Sequence, residues 1–549
     1  MRSALALGAA ALAACSFAQL AAAAPGRVSI GIDPGASPST VGAEAQAATG
    51  GKVSTGLAPI GALVLAVPDV KAAVPQLARV PGVSFVEPVT ESRSLSFAPT
   101  DPLAGEQWYL QAIHGFDFWT ELEVPPVLPP VRVAVIDSGL DGDHPEFVDK
   151  VVASVSFVDE SQGLTDTLGH GTIVAGEIAA TLDNDTGIAG LGFPVQLLVA
   201  KVVDDEGSIS VENESKAIRW AVDNGAQVIN LSLGGHRDPA NPALDTYSEL
   251  ERSAVDYATS KGVLVVAAAG NCTFAPCPEQ YADWPAALPH VVGVAATGYA
   301  DDTAAFSNRD SVHDDLAAPG VGILSTFPVG LTDPSCTDPG YTRCASAIDD
   351  WAKSASGTSF SAPLVTAAAS LVIAQSGSLG LHVSQLTNLV ERSARDIGVA
   401  GHDSETGWGL LDVPAALQAA GNALPARDDL EPNDDPGEWA ATVAGKSATV
   451  DATVTRYEDP RDVYRYKLQR GQRITLRLSG PTVSGRGLTL WRPGTLTVGA
   501  GPKWRAAGSK RVGSTRVVTY KAPKTGWYYA AVTLQQFNGG AYRLTFARR

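Results

Sequence analysis

The chain has 549 residues, 45% of them hydrophobic and 18% charged, which is enough apolar material for sizeable cores and about three domains. Such a composition excludes a disordered chain. The formal net charge is −18, yet residues 428–549 carry 20 basic against 10 acidic groups, so the acidity lies in the part that precedes them and argues against a nucleic-acid partner.

In chain order, "MRSALALGAAALAACSFAQLAAAAPG" sets Arg2 ahead of an apolar run and small residues, the layout of a secretory signal peptide over residues 1–24. Export follows by one of two routes. Ordinary cleavage before Pro25 releases the chain, and this is the favoured reading. In the alternative, Leu12-Ala13-Ala14-Cys15 acts as a lipoprotein box, Cys15 carries lipid, and the protein stays on the cell envelope. No later run of 18 apolar residues follows, so no spanning helix is expected.

Residues 25–97 hold two strand-like runs, "GALVLAVPDV" and "GVSFVEPV", around the helical "KAAVPQLARV", which predicts a small α+β module. Across residues 98–420 strands alternate with helices: "VRVAVID", "VQLLVAKVV", "QVINLSLG" and "VLVVAAAGN" are followed by "GHGTIVAGEIAATL", "VENESKAIRWAVDNG" and "TYSELERSAVDYATSKG". Continuous Val/Ile/Leu strands predict a mostly parallel sheet covered on both faces by helices, an α/β fold of three layers. The Pro/Asp/Asn-rich residues 421–436 read as a linker, and residues 437–549 alternate apolar and polar residues between turn signals, the pattern of a β-sandwich. Apart from Cys15 the cysteines are Cys272, Cys277, Cys336 and Cys344. Two local bridges are the simplest of three connectivities, with a zinc site as the rival reading of poor spacing.

Ligands of parallel sheets bind beyond the carboxyl ends of the strands. At such ends stand Asp137 after "VRVAVI" and Asn271 after "VLVVAAAG", while His170 opens one helix and Ser359 precedes another. A serine hydroxyl needs a base to become a nucleophile, and an imidazole needs a carboxylate to fix its tautomer. Singly, each residue is explained as a turn or cap residue.

Together, "VIDSGLDGDHPEF", "GHGTIVAGEIAA", "INLSLGG", "VVAAAGN" and "SGTSFSAP", in that order, resemble the signature segments of the subtilisin-like serine proteases. The Asp, His, Ser chain order is that of subtilisin itself. The resemblance implies Ser359 as nucleophile, His170 as general base and then acid, and Asp137 as the residue that orients the imidazole. Asn271 would donate to the developing oxyanion, helped by the Ser359 N–H at a helix start, with Gly357 and Thr358 forming a tight turn before it. Ser232, Leu233 and Gly234, with Gly207 opposite, would clamp a protein or peptide substrate as an added strand.

"APTDPLAGEQWYLQAIHGFDFW" and "TLDNDTGIAG" resemble the mature start and calcium loop of the family's thermitase branch. That likeness implies a structural calcium held by side chains of Asp101, Glu146 and Asn184 and by carbonyls of Thr181, Thr186 and Ile188, with no catalytic cofactor. Three departures stand out: Glu146 replaces the usual Asp, Ile173 replaces a common His, and the two cysteine-bearing stretches are longer than usual. "VPQLARVPGVSFVEPV" resembles the tail of the family's propeptide, an intramolecular inhibitor removed by self-cleavage, here expected between Glu91 and Asp101. The final domain resembles the bacterial pre-peptidase C-terminal domain. The function implied is a secreted, monomeric serine endopeptidase. A catalytically dead surface-binding protein and an esterase are the alternatives, disfavoured by four competent catalytic positions and by the absence of a G-x-S-x-G elbow.

Overall fold

The computed structural model describes residues 26–57, 61–89, 97–119, 126–159, 163–238, 241, 243–272, 277–346, 350–377, 380–422, 424, 430–433, 436, 440–455, 461–481, 485–495, 502–534 and 540–549. The expected leader, Cys15 and most of the expected maturation segment lie outside them. By internal contacts the chain divides into two units, Met1–Ser94 and Leu95–Arg549.

The first unit runs β1 (Gly26–Ile32), α1 (Pro38–Thr49), β2 (Lys52–Leu57), β3 (Ala62–Val67), α2 (Val70–Leu77) and β4 (Val83–Pro88). Its antiparallel sheet has the order β2-β3-β1-β4. Alternate residues Val28, Ile30, Leu63 and Leu65 bury one face against Val41 of α1 and Leu77 of α2. Asp69 caps α2 by accepting the Ala72 N–H at 3.1 Å. The sequence pattern gives no sign of α1, because "PSTVGAEAQAAT" offers mostly small side chains with little one-sidedness.

The second unit opens with α3 (Trp108–Ala112), β5 (Val131–Asp137), β6 (Val151–Ser156), α4 (His170–Ala179), β7 (Val195–Lys201), α5 (Val211–Asp223) and β8 (Val228–Leu231). It continues through α6 (Glu249–Ser260), β9 (Leu264–Ala268), β10 (Val291–Thr297), β11 (Leu316–Pro319), α7 (Asp350–Lys353), α8 (Ala362–Ser376), α9 (Val383–Arg392) and α10 (Val413–Ala420). Among the described residues these strands form one parallel sheet of order β11-β10-β9-β8-β5-β7-β6. Successive residues of β5 serve different cores. Val131, Val133 and Val135 pack on the side of α4 and α8, whereas Ala134 and Ile136 pack on the side of α5 and α6. Burial on both faces is why the strand is apolar at nearly every position.

Helix α8 is apolar all round and crosses the middle of the first of these cores. With the turn before it, Thr358–Ser376, it is long and apolar enough to cross a membrane by composition. Burial accounts for that composition, since 83% of the apolar window lies inside the protein.

The remaining strands are β12 (Ala441–Val443), β13 (Ser447–Val454), β14 (Arg461–Leu468), β15 (Arg473–Ser479) and β16 (Arg486–Trp491), then β17 (Arg505–Gly508), β18 (Lys510–Val512), β19 (Thr515–Lys521), β20 (Gly526–Leu534) and β21 (Gly540–Arg548). They form two sheets, β12-β14-β20-β16-β17 and β13-β21-β15-β19-β18, whose inward residues share one core in a β-sandwich. Tyr464 and Leu488 come from one sheet, Leu476 and Phe546 from the other. Glu431, just ahead of the sandwich, reaches His290 at 3.3 Å.

Candidate active site

Strand β5 ends on Asp137, which is 2% exposed. Its Oδ1 accepts the Ser138 N–H at 2.7 Å and faces His170 Nδ1 at 2.8 Å. A carboxylate can only accept, so Nδ1 carries the proton and Nε2 is the basic nitrogen. The approach of α4 to β5 depends on Gly171: a Cβ there would lie 2.2 Å from the Gly139 carbonyl. Burial pushes the His170 pKa down, but the charge and hydrogen bond of Asp137 and the charge of Asp166 outweigh it, and the net shift is upward from 6.5.

Asp166 was not singled out by its sequence context, yet it anchors the helix that carries His170. Its Oδ1 accepts the N–H groups of Leu168 (3.1 Å) and Gly169 (2.8 Å) and the Ser138 hydroxyl (2.9 Å). Its Oδ2 accepts the Thr172 N–H at 2.9 Å and hydroxyl at 2.7 Å. A buried carboxylate thus satisfies the orphan donors of the first helical turn. Sequence alone offered a signal of this kind, an acidic residue four positions before the helix-opening histidine.

Ser359 stands in a 3-10 turn, Thr358–Phe360, and Ser361 leads from it into α8. The serine is therefore ahead of the helix start that the sequence suggested, and Gly357 before it has extended backbone at φ 162°. A buried polar chain holds the turn. Thr366 Oγ1 donates to Asn230 Oδ1 at 2.9 Å, Asn230 Nδ2 donates to Ser232 Oγ at 2.9 Å, and the Ser232 hydroxyl donates to the Ser359 carbonyl at 2.6 Å. This chain ties α8 to the end of β8. The Phe360 ring packs 5.4 Å from the His170 ring, which brings the serine turn beside the Asp137–His170 pair.

Asn271 follows β9, and its Oδ1 accepts the Thr358 N–H at 2.9 Å. The carbonyl end of the amide is thereby fixed, and Nδ2 lies on the side of Gly357, where an added Cβ would meet it at 3.4 Å. Among the described residues no backbone carbonyl takes the Ser359 N–H. Cys272 is bridged to Cys277 and Cys336 to Cys344, the local pairing.

A cavity of about 170 Å³ opens between Leu233–Gly234 and Gly270–Asn271, with Ser359 and Asp283 also in its lining. Ser232, Leu233 and Gly234 thus come together with Asn271 and Ser359. Gly207 does not line this cavity; it sits at φ +80° in an exposed turn closed by the Gly207 N–H on the Asp204 carbonyl at 3.0 Å.

The residues of the expected calcium loop are also brought together. Asp101 accepts the Asp183 and Asn184 N–H groups, and Glu146 accepts the Ile188 N–H at 3.0 Å, the Asn184 amide at 3.1 Å and the Tyr341 hydroxyl at 2.9 Å. Burial pushes Glu146 up to about 7 against these three hydrogen bonds. Ile188 is fully buried, and among the described residues no N–H donates to the carbonyls of Thr181, Thr186 or Ile188. An acceptor surplus beside two carboxylates fits a hard cation. Tyr341 comes from the longer of the two cysteine-bearing stretches, a contact that sequence did not foretell.

A parallel α/β sheet whose carboxyl edge carries an Asp–His pair packed beside a serine turn, with an amide and that serine lining one cavity, defines a serine-type endopeptidase. The chain belongs to the Subtilase family, which matches residues 130–409. It is 34% identical over 307 residues to thermitase of Thermoactinomyces vulgaris, covering 56% of this chain and 94% of the relative. Subtilisin DY of Bacillus licheniformis is 35% identical over 288 residues, 52% of this chain and 91% of the relative. Fervidolysin of Fervidobacterium pennivorans is 33% identical over 351 residues, 60% of this chain and 46% of the relative.

Proposed function

We propose that this serine endopeptidase works outside the cytoplasm through Ser359, His170 and Asp137, after removing its own N-terminal unit. The Ser359 hydroxyl passes its proton to His170 Nε2 as Oγ attacks the scissile carbonyl. Asp137 stabilises the imidazolium through Nδ1–H. The oxyanion takes hydrogen bonds from Asn271 Nδ2 and the Ser359 N–H. His170 returns its proton to the leaving amine, the C–N bond breaks, and water repeats the sequence to free the acyl group from Ser359. The observation that carries this reading is the 2.8 Å Asp137–His170 bond, set beside the serine turn by the Phe360 ring 5.4 Å from the His170 ring.

Asp101, Glu146 and Asn184 side chains and the Thr181, Thr186 and Ile188 carbonyls would hold calcium. The ion would tie the segment before α3 to the loop after α4. Ser232, Leu233 and Gly234 are one wall of the substrate strand, with Gly207 near the other. The first unit acts as an intramolecular inhibitor until self-cleavage between Glu91 and Asp101. The mature enzyme is a monomer released from the cell, lipid on Cys15 being the alternative.

The test is paired expression of the natural chain and Ser359→Ala in a secreting bacterial host, with intact mass, N-terminal sequence and casein hydrolysis recorded for both. Trimming near residues 91–101 and casein hydrolysis in the natural chain alone support the reading. Equal trimming with no hydrolysis by either chain defeats it.

A further inference from the structure

Asp283 is the ionisable residue lining the cavity beside Ser359 and Asn271. We infer that its carboxylate receives the cationic side chain, Lys or Arg, of the residue whose carbonyl Ser359 attacks, so that the enzyme prefers to cut after basic residues. The inference rests on the peptidase reading given above.

Backbone bonds fix the carboxylate in the wall. The Asp283 N–H donates to the Ala269 carbonyl at 2.8 Å, and Trp284 and Gly235 exchange N–H and C=O bonds at 2.8 Å each. Gly270 admits it: a Cβ at that position, φ +103°, would lie 2.2 Å from Asp283 Oδ2. The carboxylate is thus pressed against the backbone one residue before Asn271, in a cavity otherwise lined by Leu233, small residues and neutral polar groups.

The nearby basic side chains lie closer to other carboxylates than to Asp283. Arg237 pairs with Asp310 at 2.7 Å and lies over the Tyr281 and Trp284 rings, offering Asp283 only its backbone N–H. His236 Nδ1 is 3.1 Å from Glu279 Oε2 but 3.8 Å from Asp283 Oδ1. Asp283 Oδ1 is buried with no hydrogen-bond partner among the described residues. Burial raises Asp283 to about 7 against the Arg237 N–H, and the charge of Glu279 adds to the rise. A guanidinium or ammonium entering the cavity supplies a counter-charge nearer than the His236 ring at 3.8 Å and draws the proton off. An apolar side chain instead leaves a buried carboxylate unpaired or protonated, and sites built around such a group reject partners that cannot match it.

The experiment measures kcat/KM of the mature enzyme on peptide p-nitroanilides that differ only in the residue before the bond, Arg, Lys, Leu, Phe or Glu, between pH 6 and 9. Arg and Lys are expected to exceed Leu and Phe by about tenfold or more at pH 8.5. The advantage shrinks below pH 7, where Asp283 gains its proton among His236, Glu279, Arg237 and Asp310. In Asp283→Asn the ratio of Arg to Leu falls by about tenfold. A natural enzyme that cuts after Leu or Phe faster than after Arg overturns the inference whatever the variant does, and so does an unchanged ratio in Asp283→Asn. A fluorophosphonate label separates the two readings: a chain that takes no label and cuts no substrate fails as a peptidase, whereas a labelled chain with an apolar preference fails only here.

Discussion

Replacing Asp166 with Asn changes no volume and removes one acceptor oxygen from a carboxylate that receives five hydrogen bonds. Whichever way the amide turns, its NH2 group faces donors. With Nδ2 in the Oδ2 position, the Thr172 N–H and hydroxyl lose their acceptor inside the protein. Each buried donor left unmet is worth about 1–3 kcal/mol, so the pair amounts to about 2–6 kcal/mol. At this domain size, about 2 °C per kcal/mol gives a Tm lower by about 4–12 °C. Calorimetry on the Ser359→Ala background keeps self-digestion out of the measurement. A second readout concerns His170 alone, since the charge of Asp166 helps raise its pKa. The acid limb of kcat/KM is expected above pH 6.5 in the natural enzyme and displaced downward in Asp166→Asn. A variant with unchanged Tm and an unmoved acid limb refutes the assignment of Asp166 as the residue that positions His170.

Three further outcomes are expected. Asn271→Asp keeps the acceptor for the Thr358 N–H but loses the donor, so kcat should fall about a hundred- to a thousandfold, the range found in subtilisin itself, with little change in KM; an equal change in both points to a binding role. Chelation should lower Tm by an amount equivalent to about 3 kcal/mol if calcium was present at about a hundred times its Kd, and calcium should restore it; a Tm indifferent to both removes the ion from the Asp101–Glu146 loop. Glu214 and Glu251, buried where α5 meets α6, both have raised pKa values because burial penalises their charge, Glu251 reaching about 7. Their protonated forms fit the fold, so the stability they contribute is full below pH 4.5 and is lost as pH rises through about 7. Glu214→Gln should then raise stability at pH 8 by about 1–2 kcal/mol and leave pH 4 nearly unchanged, which urea titration at the two pH values decides.

The sheet strands near the site were legible because burial on two faces leaves an unbroken apolar run, as in β5, β7 and β9. Strands β10 and β11 escaped notice because "VVGVAAT" and "LAAP" are short or Gly/Ala-rich, and only their neighbours make them strands. Asp137, His170, Asn271 and Ser359 were visible through motif order alone, since each taken singly is an ordinary turn or cap residue at an element end. Asp166 left only its spacing before His170 as a mark, and Asn230 and Thr366 left none, because a buried polar residue of that kind cannot be recognised until its partner is known. Asp283 was hidden for another reason: it lies outside the quoted motifs, in the stretch whose extra length obscured the cavity it lines.

One consequence follows from where Ser359 is mounted. Its turn leads straight into α8, a helix buried on every side from Ala362 to Val372 and crossed by the chain Thr366–Asn230–Ser232. Such a segment has no cheap partial opening, so its amide protons should exchange only through complete unfolding. A peptidase spends its life among copies of itself, and a nucleophile carried on a fraying element would be nicked by its neighbours. Here the last part of the molecule to loosen is the part that cuts, so activity should persist until the domain is lost as a whole.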